Sequence, residues 1–120
     1  MARILAVDDS PSMRQMVSLA LTGAGHEVEQ ACDGVEALAI AQKSRFDLVI
    51  TDVNMPNMDG ITLVRELRGK AGYKFTPLLV LTTEGTQERK QQGKAAGATG
   101  WLVKPFNPDR LLATIAKVLA

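Results

Sequence analysis

One cysteine, Cys32, and one histidine, His26, stand in 120 residues, so an internal disulfide framework is excluded and a Cys/His zinc site nearly so. Charge of one sign is not in excess either. Fourteen Lys and Arg face thirteen Asp and Glu, leaving net +1 and no global field to draw nucleic acid or membrane. The apolar start at Ile4 to Val7 is broken by Asp8 and Asp9, too soon for a secretory h-region, and no run approaches the ~20 residues of a membrane span. Repeats, linkers and low-complexity stretches are missing as well. What is there is 46% hydrophobic and 22% charged, enough to bury a core. The expectation is one domain over residues 1–120, monomeric and cytoplasmic, with no effector domain, no nucleic-acid partner and no membrane insertion.

Two patterns alternate along the chain. Aliphatic runs at Ile4–Val7, Leu48–Thr51, Leu78–Thr82 and Trp101–Val103, with a weaker alternating one at Glu27–Ala31, read as five strands. Helical segments lie between them. Ser10-Pro11, Asp33-Gly34-Val35-Glu36 and Asn107-Pro108 mark helix starts, and Gly23, Gly25, Gly69 and Gly72 mark stops. Strict alternation of strand and helix predicts an α/β fold, a doubly wound parallel sheet with five helices and Glu27–Ala31 at an edge. Met13, Met16, Val17, Ala20 and Leu21 form the expected buried stripe of the first helix; Leu111, Leu112, Ile115 and Leu119 form that of the last. The fourth helix, Thr86 to Gly97, offers only Ala95 and Ala96 and is thinly anchored.

In such sheets ligands bind beyond the carboxyl ends of the strands. Asp8 and Asp9 follow the first strand, Asp52 the third and Lys104 the fifth, while Thr82 and Thr83 close the fourth. Two unit charges about 4 Å apart repel by about 4 kcal/mol at an effective dielectric of about 20, so gathered carboxylates call for cations. Lys104 supplies one, and a hard divalent ion such as Mg2+ suits the rest. An Asp nucleophile beside a metal, a Lys and a Thr is equipment for phosphoryl transfer.

Together with Met55-Pro56, Asp59-Gly60 and Lys104-Pro105-Phe106, these residues resemble the receiver domain of two-component response regulators over Arg3 to Leu119, and most of all its chemotaxis members. The resemblance implies a flavodoxin-like strand order of 2-1-3-4-5 and a phosphoacceptor signalling protein, not an enzyme acting on separate substrates. Asp52 would take a phosphoryl group from a chemotaxis-type sensor histidine kinase. Mg2+ would be held by Asp9, Asp52 and the backbone carbonyl of Asn54, with Asp8 joining through water. Lys104 would contact the phosphoryl group, Thr82 would move to hydrogen-bond it, and Trp101 holds the place of the switch ring, commonly Tyr or Phe. The Lys104–Pro105 bond matches one usually cis. Output would pass through the face of the fourth helix, fifth strand and fifth helix to a target such as the flagellar motor switch, or to a phosphorelay or other output. A phosphatase would fit among the partners.

Asn54 and Glu84 lie two residues past Asp52 and Thr82 and are expected to set the phosphoryl lifetime. A haloacid-dehalogenase-type phosphatase is the rival reading, but it wants a carboxylate where Asn54 stands. A flavodoxin-like carrier wants a phosphate cradle where Asp8 and Asp9 would repel one. Thr83 is expected to be inert, His26 to lie at the surface, Cys32 to be a semi-buried hydrophobe, and Met55 and Met58 to pack core and loop.

Overall fold

The computed structural model describes all residues, Met1–Ala120. Five parallel strands, β1 (Arg3–Val7), β2 (Glu27–Ala31), β3 (Leu48–Thr51), β4 (Leu78–Thr82) and β5 (Gly100–Val103), lie in the order β2-β1-β3-β4-β5. Five helices connect them: α1 (Pro11–Gly23), α2 (Gly34–Lys43), α3 (Gly60–Arg68), α4 (Gln87–Ala96) and α5 (Pro108–Leu119). A short 3-10 turn at Ala71–Tyr73 precedes β4.

The cores follow from the period of two within the strands. Leu5, Val7, Val49, Leu78 and Val80 face α2 and α3, while Ile4, Ala6, Leu48, Ile50, Leu79 and Leu81 face α1 and α5. The central strands are therefore apolar on both sides, and burial of each large side chain stabilises the fold by about 1.5–3 kcal/mol. β2, by contrast, sits at an edge and is largely exposed, with only Val28 and Ala31 reaching the two cores, from opposite faces.

Caps form where their residues predict them. Ser10 accepts from Met13 N, Asp33 from Glu36 N, and Asn107 from Asp109 N and Arg110 N. Glu36 closes the second start by accepting from Cys32 N at 2.7 Å, one residue before the cap.

Three expectations are corrected. Met16 is 55% exposed, and Ser18 is buried in the stripe beside Val17 and Leu21. Only a narrow line of α1 reaches the sheet, so the stripe is slimmer than the apolar pattern. Cys32 is exposed, because β2 has no further strand beyond it and the chain turns outward into the α2 cap. His26 is half-buried, its Nδ1 accepting Ala2 N at 3.1 Å and stitching the start of β1 to the α1–β2 turn.

Candidate functional site at the carboxyl edge of the sheet

Register brings the site together. Val7 pairs with Thr51 across β1 and β3, so Asp8 and Asp52 emerge side by side. Thr82 pairs with Val103 across β4 and β5, and Lys104 N then donates to Thr82 O at 2.7 Å. Neighbouring parallel strands ending at one level thus bring Asp8, Asp52, Thr82 and Lys104 to one edge of the sheet.

Carboxylate oxygens of Asp8, Asp9 and Asp52 lie within 4.8 Å of one another. Lys104 Nζ spans two of these residues, 2.8 Å from Asp8 Oδ2 and 2.9 Å from Asp52 Oδ2. Burial pulls its ammonium towards neutrality, but hydrogen bonds and Coulombic attraction from Asp8 and Asp52 outweigh that pull and raise its pKa. The remaining oxygens are held too: Asp8 Oδ1 accepts Ser10 N, and Asp52 Oδ1 accepts Val53 N at 2.6 Å. Asp9 is exposed and makes no hydrogen bond. Three carboxylates against one ammonium leave a formal charge of −2 on an all-oxygen donor set. That chemistry fits a hard divalent cation with few protein carboxylates and several waters.

The rim is as well defined. Thr82 is fully buried at the end of β4, its Oγ1 accepting Glu84 N at 3.3 Å, whereas Thr83 is exposed. Asn54 Nδ2 donates to Glu84 Oε1 at 3.3 Å, so the two residues singled out by equal spacing meet over the crevice. Trp101 Nε1 donates to Glu84 O at 2.8 Å. Its ring lies so close to α4 that a Cβ at Gly93 would stand 2.6 Å from Cζ3, which is why glycine sits inside that helix. Gly60 is similarly constrained: a Cβ there would collide with the Asp52 carbonyl oxygen, so only glycine lets α3 begin against the strand end. The Lys104–Pro105 bond is cis.

Arg14 is a neighbour that residue spacing did not reveal. Its Nη1 donates to the Asp8 carbonyl at 2.7 Å and its Nε to Gln30 Oε1 at 3.1 Å, pinning the β1–α1 turn to β2. The only sequence signal was an Arg one turn into α1, and its partner is a backbone carbonyl with no residue signature.

Comparison with known proteins places this geometry. A family model described as the response regulator receiver domain matches residues 4–116. Chemotaxis response regulator CheY4 of Vibrio cholerae is 64% identical, with 98% of each chain covered and a TM-score of 0.95. Protein PilH of Pseudomonas aeruginosa is 38% identical over 120 residues, covering 100% of this chain and 99% of its own. The transcriptional regulator RpaA of Synechocystis is 38% identical over 119 residues, and there the match spans only 49% of the relative's length. The chain belongs to the response regulator receiver family, a family of phosphoacceptor signalling domains that work with histidine kinases. Related structures bind the expected metal. The receiver domain of a Pseudomonas aeruginosa sensor kinase, 27% identical with TM-score 0.92 and 98% and 97% of the two chains covered, has magnesium coordinated in its active-site cleft. Response regulator TrrA of Thermotoga maritima, 35% identical with TM-score 0.88 and coverage of 98% and 99%, is in complex with Mg2+–BeF. No helix of this chain is long and apolar enough to cross a membrane.

Proposed function

We propose that this chain is a chemotaxis-type response regulator of the cytoplasm, phosphorylated on Asp52 by a sensor histidine kinase. The observation that carries the reading is the Lys104 ammonium bridging Asp8 and Asp52 within a three-carboxylate cluster. A carboxylate oxygen of Asp52 attacks phosphorus in line. An O–P bond forms, the P–N bond of the phosphohistidine breaks, and the departing imidazole nitrogen keeps the electron pair and takes a proton from solvent. Magnesium, when bound by Asp9, Asp52 and the Asn54 carbonyl, with Asp8 acting through water, supplies positive charge that offsets the phosphoryl oxygens. Lys104 then exchanges one of its carboxylate contacts for a phosphoryl oxygen, likewise a charge-assisted acceptor. Thr82 gives up its bond from Glu84 N and turns its hydroxyl to the same group.

Movement at Thr82 and Glu84 is felt by Trp101, whose indole hangs on the Glu84 carbonyl. From there it passes to the face of α4, β5 and α5, where a groove of about 310 Å3 is lined by Lys90, Trp101, Val103, Phe106 and Arg110. An apolar floor between two cations suits an apolar segment carrying acidic residues, and the flagellar motor switch is the target this reading favours. Asn54 and Glu84, bonded across the mouth, govern how water reaches the aspartyl phosphate.

Acetyl phosphate with magnesium tests the reading. One labile adduct per chain on Asp52, lost in Asp52→Asn, is expected; an Asp52→Asn chain labelled as fast as the parent overturns it. Phosphorylation-dependent capture of a motor-switch protein supports the flagellar output, and capture of a phosphotransfer protein instead redirects it to a relay.

A further inference from the structure

The loop from Val53 to Asp59 carries the Asn54 carbonyl and side chain; Val53 is buried in the core and Asn54 Nδ2 donates to Glu84 Oε1, while the far tip depends on a separate set of contacts. At its base, Gly60 N donates to Val53 O at 2.9 Å. At its tip, Asn57 takes a left-handed conformation, φ +69°, the only non-glycine residue with positive φ. That tip is held from outside by the start of α2. Asn57 Nδ2 donates to Asp33 Oδ2 at 2.8 Å, and Gly34 N donates to Met58 O at 3.2 Å. Asp33 is only 8% exposed, and its other oxygen, Oδ1, accepts Glu36 N as the α2 cap. One carboxylate thus does two jobs, one for its helix and one for a loop 24 residues away. A cap needs a single oxygen, and Ser10 and Thr86 cap their helices with hydroxyls. The second oxygen of Asp33 is what a serine could not supply.

We infer that Asp33 and Asn57 are positioning residues for the phosphorylation site: their hydrogen bond locks the tip of the 53–59 loop and so presets the Asn54 carbonyl towards the acidic cluster. This rests on the reading of that cluster as the magnesium and phosphoryl site. Hydrogen bonds from Glu36 N and then Asn57 hold the Asp33 carboxyl below its usual range, so it is ionised and a strong acceptor at neutral pH. Residues that orient metal ligands from behind change affinity by roughly 10–100-fold when lost.

Two variants remove the bond while keeping the local backbone and the α2 cap. Asn57→Gly keeps the positive φ without the amide, and Asp33→Ser keeps the cap but is too short to reach residue 57. Magnesium affinity is read by titration calorimetry of the unphosphorylated chain, and exchange of the 53–59 amides is read without metal. Each variant is expected to weaken magnesium about tenfold and to speed that exchange while still melting cooperatively as a folded chain. The double variant should cost no more than either alone, since both break one bond. The reciprocal pair Asp33→Asn with Asn57→Asp restores donor and acceptor in reverse and should recover parent affinity. Parent-like affinity and exchange in both single variants overturn the inference, as does a reciprocal pair no better than the singles. A parent that binds no magnesium, or labels with Asp52 replaced, overturns the underlying reading instead.

Discussion

Lys104 and Arg68 are two partly buried cations at opposite ends of the sheet, and their donors are satisfied by different means. Lys104 follows β5 and meets two carboxylates. Arg68, at the end of α3, meets none. It donates to the carbonyls of Gly97, Tyr73, Thr76 and Lys74 and to Thr99 Oγ1, joining the entries of β4 and β5 to the α3 terminus. The pKa directions mirror the partners: burial alone lowers Arg68, whereas Asp8 and Asp52 overcome burial at Lys104 and raise it. A planar fork that saturates fixed neutral acceptors is a staple. An ammonium held between two carboxylates is, on the function proposed above, a working part. On that reading, charge burial serves stability at one end of the sheet and chemistry at the other.

The sharpest way to break this comparison is to remove each charge in turn. Lys104→Met should slow labelling by acetyl phosphate at least about 100-fold, the usual loss of one preorganised electrostatic donor, while Arg68→Met stays within about twofold of the parent. Comparable losses in both would erase the distinction. Stability should rank the other way: urea denaturation is expected to show Arg68→Met costing about 2–4 kcal/mol, since several acceptors lose a charged donor at once. Asp9→Asn, which removes the one carboxylate of the cluster without a hydrogen bond, should raise stability by up to about 1 kcal/mol in metal-free buffer. Saturating magnesium should reverse that order, because only the parent gains from binding. A variant equally stabilised by the ion would show that Asp9 holds none of it.

The smallest effects are in pH. Lys104 has a raised folded pKa, so its contribution is complete below the unfolded value near about 10.4 and disappears only as pH climbs through the folded one. Asp33 has a lowered folded pKa, so its contribution is present above about 3.9 and disappears as pH falls through the folded value. The stability gap between parent and Asp33→Ser, measured by thermal melts, should therefore hold from pH 8 to about 5 and shrink below about 4. A gap that stays constant at acid pH would mean the carboxylate charge plays no part.

How much of this was legible in the residues depends on where the partner atoms lie. Strand ends are read directly as the residues following apolar runs, and parallel register then carries Asp8, Asp52, Thr82 and Lys104 to one edge without further information. The Asn54–Glu84 contact was also legible, as equal spacing from equivalent strand ends. Arg68 and Arg14 were not, because they bind carbonyls, which every residue possesses. Neither was the Asp33–Asn57 bond, since Asp33 was already explained as a cap; Pro56-Asn57 signals a turn that tolerates positive φ, but not which distant side chain its amide meets. Met16 misled because periodicity records which residues are apolar, not how wide a strip of helix the sheet can cover.

The indole seated against Gly93 has a practical corollary. It is the only tryptophan in the chain, and its N–H hangs from the segment that links the crevice to the α4 surface. Its emission spectrum is accordingly a built-in gauge of that segment, readable in real time and without any dye. A stopped-flow trace of the unmodified protein would clock how fast the α4 surface responds after a phosphodonor is added.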